Sequence, residues 1–450
     1  MLKQAHGHYR SANSVRILSA LAGLAVAGAA APALAQASFR TIAPDAGYDY
    51  AVVQDISRDG RFALVSLQNS TQRPTILKGY ILNLATNARV EIEDPFGRDL
   101  NPIALSADGS VAVGYIGGGP LGSTVAIRFD GDGVFEIGGL PAGNLSYATG
   151  ISDDGNTVVG SSGANFGDAY QQAWKWTFAD GIVAFDDLGP DTLIFGSAED
   201  ISGDGSTMVG FGSIGDQDPD TDDLASAVYW SSSDPTTPNN LGNLPSQITT
   251  GGATAYACSV DGSVIVGTSP GFAGNGGFAQ RGFRWTSATG LQDIGSLASN
   301  PNGSLTILDC ASDGNTLVGY MIDGGVSTWQ AIVYTPSEGV QTLRSLLAAE
   351  GVTVASNLGL RETFTSGNAT VLGGWAYNIT TQRYVGYVAT LPSPRCIADY
   401  NADGGIDGSD VEAFFIDWQD GLPAADVDNS GGVDGTDVEV FFVAWSNATC

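Results

Sequence analysis

Leu105-Ser-Ala-Asp-Gly-Ser-Val-Ala-Val-Gly114 decides the reading of residues 36–390, because it recurs. It returns as Ile151-Ser-Asp-Asp-Gly-Asn-Thr-Val-Val-Gly160 and Ile201-Ser-Gly-Asp-Gly-Ser-Thr-Met-Val-Gly210, then from Cys258 to Gly267 and from Cys310 to Gly319. A first copy, Ile56 to Val65, keeps Asp59-Gly60 but ends in Val. A last copy, Phe364 to Gly373, carries Gly367-Asn368 in place of Asp-Gly. The copies start roughly 46 to 57 residues apart, in or just above the range of propeller blades. Asp-Gly between two apolar runs is the strongest short hairpin signal, since both turn residues must tolerate positive φ. The Asp of each pair (Asp59, Asp108, Asp154, Asp204, Asp261, Asp313) is therefore read as a turn residue rather than a catalytic one.

Each copy leads through a variable loop to an aromatic strand, as in Ala173-Trp-Lys-Trp176, Ala227-Val-Tyr-Trp230 and Gly282-Phe-Arg-Trp285. A last strand ends in Leu188-Gly189, Leu241-Gly242 or Ile294-Gly295. Four short strands per repeat, seven times over, predict an all-β fold, a seven-bladed β-propeller of four-stranded blades. The last repeat runs out after its third strand, Tyr384 to Thr390, so Phe39-Arg-Thr-Ile42 is expected to supply the missing fourth. Such closure removes exposed sheet edges. An open β-solenoid is the alternative. One helix is expected at Leu343 to Gly351.

Residues 1–35 read as a secretory signal peptide: Lys3, Arg10 and Arg16 precede the apolar run Ile17 to Ala31 and the small-residue site Ala33-Leu34-Ala35. No later segment reaches the roughly 18 apolar residues of a spanning helix, so no membrane span is expected after cleavage. Cleavage would remove both histidines, His6 and His8, and with them any Ser-His-Asp triad or His-ligated metal. It would also move the formal charge from −30 to −33, since three cations leave and no carboxylate does. Such a surface repels nucleic acid and attracts divalent cations.

Four cysteines in an exported chain suggest two disulfides, with three possible pairings. Cys396 and Cys450 bracket the C-terminal region and are paired on that ground, which leaves Cys258 with Cys310. After a linker at 391–395, the run Asp399-Tyr-Asn401-Ala-Asp403-Gly-Gly405-Ile-Asp407-Gly-Ser409-Asp410 has the spacing of a twelve-residue calcium loop. Asp399, Asn401, Asp403, Gly405 (through its carbonyl), Asp407 and Asp410 take positions 1, 3, 5, 7, 9 and 12, where hard Ca²⁺ collects its oxygens. Asp426, Asp428, Ser430, Gly432, Asp434 and Asp437 repeat the set 27 residues later, so two Ca²⁺ sites are expected, the second weaker. Behind the loops, Val411, Phe414, Phe415 and Trp418 share one helical face, and Val438, Phe441, Phe442 and Trp445 repeat it. The two faces are expected to pack into a small aromatic core.

Residues 396–450, with Asp at position 12, no helix before each loop and flanking cysteines, resemble duplicated type I-like dockerin modules. That resemblance implies an EF-hand-like α-helical domain that docks by way of Ca²⁺ into a cohesin-like receptor. The recognition positions 10 and 11 fall here on Gly408-Ser409 and Gly435-Thr436, leaving Ser409 and Thr436 as docking hydroxyls. Residues 36–390 resemble extracellular HAF-type repeat proteins, a resemblance that implies no defined reaction. The expected function is accordingly that of a secreted or cell-surface binder without catalysis, holding a protein or glycan through variable loops such as 165–170 and 216–224. A dockerin-bearing glycoside hydrolase or lyase, using two carboxylates, is one alternative. A purely structural envelope component is the other.

Overall fold

The computed structural model describes residues 37–450 except 70–75, 118–122, 142–143, 164–170, 187–195, 214–224, 246–251, 275, 323–328, 393–396, 399, 401–405, 420, 423–424, 426, 428–431 and 448–450. The chain is mostly β. Four-stranded antiparallel sheets, each built in chain order, span 99–138, 145–184, 196–242, 254–293 and 304–342. A further sheet joins the four strands of 50–92 to the three of 358–390. That union rests on one parallel pair, Tyr50 with Tyr384. Strand β1 (Ser38–Ile42) pairs antiparallel with Arg383–Thr390, in register from Ser38↔Thr390 to Ile42↔Gly386. The first strand of the domain thus completes its last sheet, and Phe39 stacks on Tyr387 there.

The repeated motif makes one device in six of the seven copies; in the sixth, Ala311 stands where the others have Ser, and among the described residues Asp313 accepts only Asn315 N and Nδ2. Ser57 Oγ donates to Asp59 Oδ1 at 2.7 Å, and the same carboxylate accepts Arg61 N at 2.9 Å. Phe62 N donates back to Ser57 Oγ at 2.9 Å. The same knot forms at Ser106/Asp108, Ser152/Asp154, Ser202/Asp204 and Ser259/Asp261. These serines are all buried. Asp108 is held below the usual carboxylate range by Ser110, and Asp154 by Ser152, as expected for fully engaged turn residues. In the last copy the knot is Ser366/Asn368, with Ala369 at φ 58° where the others have Gly. The turn is therefore Asn368-Ala369, one residue later than the sequence alignment on Gly367-Asn368 placed it.

The turns also join one another. Asp59 N donates to Ala107 O, Ala107 N to Asp153 O, Asp153 N to Gly203 O and Asp204 N to Val260 O. Val260 N then donates to Ser312 O, Ser312 N to Gly367 O, and Gly367 N to Arg58 O. The series returns to its start, with every bond between 2.8 and 3.2 Å. Apolar clusters fill the spaces between sheets in the same cyclic order: Leu64 and Ile81 meet Leu100, Val113 meets Trp174, Phe185 meets Trp230, and so on. The last cluster packs Val388 against Val53 and Val65, the end of the domain against its beginning. Helix α1 (Leu343–Ala349), capped by Thr342 Oγ1, buries Leu343 and Leu347 beside the last sheet.

The expected Cys258–Cys310 disulfide is not formed; both are buried free thiols. They hold equivalent places in neighbouring sheets and face different partners. Cys258 packs with Val209 and Ala227 of the preceding sheet, Cys310 with Val264 and Val266 of its own preceding sheet. Cys396 and Cys450 lie outside the described residues.

Inner-strand bulges explain the motif's final glycine. At Gly210 an added Cβ would run into the carbonyl of Ser197, where the neighbouring strand bulges. Gly210→Ala should cost about 1–3 kcal/mol in chemical denaturation, the usual scale of forced overpacking. Gly131→Ala, facing open space, should change stability little. Alkylation of the unfolded, unreduced chain should modify both Cys258 and Cys310, and a peptide linking the two would contradict their free-thiol state.

Candidate functional site

The first strand of each sheet carries a β-bulge just before the motif. In six sheets the residue skipped by the ladder is Gln54, Ile103, Thr149, Glu199, Tyr256 or Leu308. A bulge re-aims a side chain out of the strand's alternation. All six line one cavity of about 310 Å³, with Phe364 and Thr365 from the last sheet. Arg58 floors it. From the first turn, Arg58 Nε donates to Asp153 Oδ1 of the third sheet at 2.7 Å, and Nη1 to Ser312 Oγ of the sixth at 3.3 Å. The guanidinium therefore crosses the circle of turns and plugs it.

Beside the bulges stand Asp55, Asp200 and Asp309, one residue before the motif in copies one, four and six. They stitch sheet to sheet. Asp55 Oδ2 accepts Leu105 N of the next sheet at 2.7 Å while Oδ1 accepts Ile56 N at 2.7 Å. Asp309 likewise accepts Thr365 N at 2.8 Å and Cys310 N at 2.7 Å. Asp200 Oδ2 accepts Cys258 N at 3.1 Å. Where that position is Gly150, Thr149 Oγ1 makes the link instead, donating to Ala198 O at 2.7 Å.

Burial in a confined wall raises the carboxylates despite these donors. Asp200 is pushed up to about 7 by burial, with Asp309 adding to it. Glu199 is pushed up to about 7 by burial. Asp55 rises well above the usual range by burial, and Asp309 rises for the same reason. The Tyr256 hydroxyl is pushed up to about 12 by burial and by Glu199. The cavity is thus acidic, with an apolar side at Ile103 and Leu308 and one cation at its floor.

Sequence reasoning missed this site. It placed ligand contacts on loops 165–170 and 216–224, which lie outside the described residues. A signal was present in the Asp one residue before three of the seven motif copies.

The C-terminal region forms two similar halves. Helices α2 (Gly408–Gln419) and α3 (Gly435–Asn447) bring Phe414 and Phe441 face to face, 4.2 Å between centroids and 1° between planes. Tyr400, Ala425 and Val427 complete this core. The halves clasp each other reciprocally: Trp418 Nε1 donates to Asp434 O at 2.8 Å, and Trp445 Nε1 to Asp407 O at 3.1 Å. Of the proposed calcium ligands, Asp407, Asp410, Gly432, Asp434 and Asp437 are described; Asp399, Asn401, Asp403, Gly405, Asp426, Asp428 and Ser430 are not. Asp410 and Asp437 are fully buried, and their Oδ2 atoms accept Asp407 N and Asp434 N at 2.8 Å. Asp407 caps α2, accepting both Ser409 N and Ser409 Oγ; Asp434 does the same for α3 with Thr436. Ser409 and Thr436 are exposed, with each hydroxyl donating to its cap carboxylate.

The raised cavity carboxylates fix a sign for pH. A carboxyl held higher folded than unfolded favours the folded state while protonated, and that contribution fades as pH rises from about 4 to about 7. Denaturation profiles should therefore show falling stability of the β domain across that window. Asp200→Asn should flatten the slope, and an unchanged slope would contradict the assignment.

No family model matches the chain, and no curated protein sequence matches it significantly. Solved structures do. The β-propeller domain of the Trilobed protease from Pyrococcus furiosus, described as having an open velcro topology, superposes with a TM-score of 0.51 at 9% identity, covering 75% of this chain and 95% of that one. Acylaminoacyl peptidase from Pyrococcus horikoshii gives 0.47 at 10% identity, over 73% of this chain and 49% of that one. A putative TolB from Agrobacterium tumefaciens gives 0.35 at 14% identity, over 76% and 91%. At such identities only the fold is shared, and it is the first of these that carries it: the β domain is a propeller-type repeat structure.

Proposed function

We propose that this chain is an exported binding protein without catalysis, in which a seven-bladed propeller presents an axial cavity and a C-terminal dockerin-like module tethers it. The observation that carries the reading is the ring of bulges. A repeated frame aims a different side chain from each of six blades (Gln54, Ile103, Thr149, Glu199, Tyr256 and Leu308) into one cavity. A rigid frame with varied, convergent side chains suits recognition of one ligand shape.

The glycosidase alternative draws on the same carboxylates. Glycoside hydrolysis needs two carboxyl groups that meet substrate. Asp55, Asp200 and Asp309 are engaged by backbone amides of neighbouring blades. Glu199 alone is a bulge residue aimed into the cavity, and one such group does not make a pair. That favours binding over hydrolysis.

For the tail, two in-phase loops with acidic groups at positions 9 and 12 support two Ca²⁺ sites, and the reciprocal tryptophan clasp supports a symmetric docking module. The partner class is a cohesin-like receptor, with Ser409 and Thr436 on the docking surface. Export follows from the signal-peptide pattern. Among the described residues, no helix is long and apolar enough to cross a membrane.

The test is capture from the source organism's envelope and medium by the full mature chain, with Ca²⁺ and with chelator. A partner held only with Ca²⁺, and lost in Asp410→Ala/Asp437→Ala, is the expected result. Capture indifferent to chelator would reduce the tail to a cap. Turnover of any polysaccharide that Glu199→Gln abolishes would replace the binding reading with the hydrolytic one.

A further inference from the structure

The seventh inner strand departs from the other six. Its ladder skips two residues rather than one, Arg361 and Glu362, between Leu360 and Thr363. Neither lines the axial cavity. Arg361 instead stands among four rings from two sheets, its guanidinium carbon 5.3 Å from the centroid of Trp329, 5.1 Å from Trp375, 5.5 Å from Tyr377 and 5.5 Å from Tyr384. The rings continue on both sides. Tyr320 stacks on Trp329 at 4.6 Å, Trp329 leads to Trp375 at 6.1 Å and Trp375 to Tyr384 at 5.0 Å, and Tyr50 stacks on Tyr384 at 4.6 Å. All are half-buried, so their remaining surface reaches solvent.

Two features point to a ligand. The chain has 48 acidic side chains against 18 Lys and Arg, and Arg58, Arg61, Arg89, Arg98, Arg128 and Arg281 each hold a carboxylate. Arg361 holds none: among the described residues its guanidinium makes ring contacts and no hydrogen bond or ion pair. Rings orient the guanidinium plane by cation–π attraction and leave its N–H fork free. Beside it, Glu362 is fixed by Trp375 Nε1, which donates to its Oε2 at 2.8 Å. A planar cation with free donors, an oriented carboxylate and a run of aromatic faces make one chemical demand. The ligand needs a carboxylate for the fork, hydroxyl donors for Glu362 and flat C–H faces for the rings.

We propose that this aromatic run is a binding site for acidic sugars, uronic-acid units of a polysaccharide, with Arg361 receiving the carboxylate. It names a ligand class and a place distinct from the axial cavity, so its failure leaves the axial reading standing.

Calorimetry with the full mature chain tests it, with short unesterified oligogalacturonate as probe and the methyl ester of the same oligomer as control. The acid form should bind at least about tenfold tighter than the ester, because a charge-assisted bidentate pair is lost on esterification. The gap should shrink at high salt. Arg361→Gln should erase it, Arg361→Lys should keep part of it, and Trp329→Ala should weaken both forms. The ester comparison uses the unaltered chain, so a variant that folds poorly does not decide the matter. Equal binding of acid and ester, or binding of neither, overturns the proposal. Tighter, Arg361-dependent binding of poly-glutamate overturns the sugar class in favour of an acidic peptide.

Discussion

A buried backbone amide must find an acceptor, and at each Asp-Gly turn of this protein the acceptor belongs to the next sheet. That constraint sets the architecture. One sheet cannot satisfy its own turn, so each turn requires a neighbour and the series ends only where Gly367 N meets Arg58 O. The inter-sheet apolar clusters follow the same cycle, and β1 adds the strand that the last sheet lacks. The axial cavity follows from it: inner strands that converge on a circle of turns bulge, and in six of the seven the bulged residue lines the cavity.

Buried carboxylates have two different uses within this frame. In the turns, Asp59 and its equivalents collect hydroxyl and amide donors. At the inner strands, Asp55, Asp200 and Asp309 reach across to amides of the following sheet, which ties their protonation to packing between sheets. Glu199 is different, since the bulge aims it into the cavity. Position in the frame rather than residue type separates the acids that link sheets from the one that faces the cavity. The same distinction holds for the arginines, with Arg58 closing the floor and Arg361 held by rings.

The C-terminal region solves a smaller problem by duplication. Two short helices have little to bury, and each half supplies what the other needs: a phenylalanine face for the stack, and an indole N–H for the opposite loop carbonyl. Asp407 and Asp434 serve as helix caps as well as loop positions, so the loop and its helix are set by one residue.

What the sequence determined by itself was periodic or local. The Asp-Gly turns, the strands on either side, helix α1 and the two amphipathic faces at Phe414 and Phe441 all follow from spacing, because their interactions join residues a few positions apart. The Asn368-Ala369 turn was misplaced by one residue because Ala at positive φ carries no sequence signal, and only the Ser366 knot reveals it. Tertiary structure decided everything that depends on where equivalent residues of different sheets face. Cys258 and Cys310 sit at the same repeat position yet pack in different inter-sheet clusters, so equivalence in sequence did not mean a disulfide. Gln54, Glu199 and Tyr256, far apart in the chain, converge because bulges turn them toward one axis, and Arg361 meets Trp329 only because two sheets are adjacent. Such encounters are set by the closure of the ring, a long-range condition that no local stretch of residues encodes.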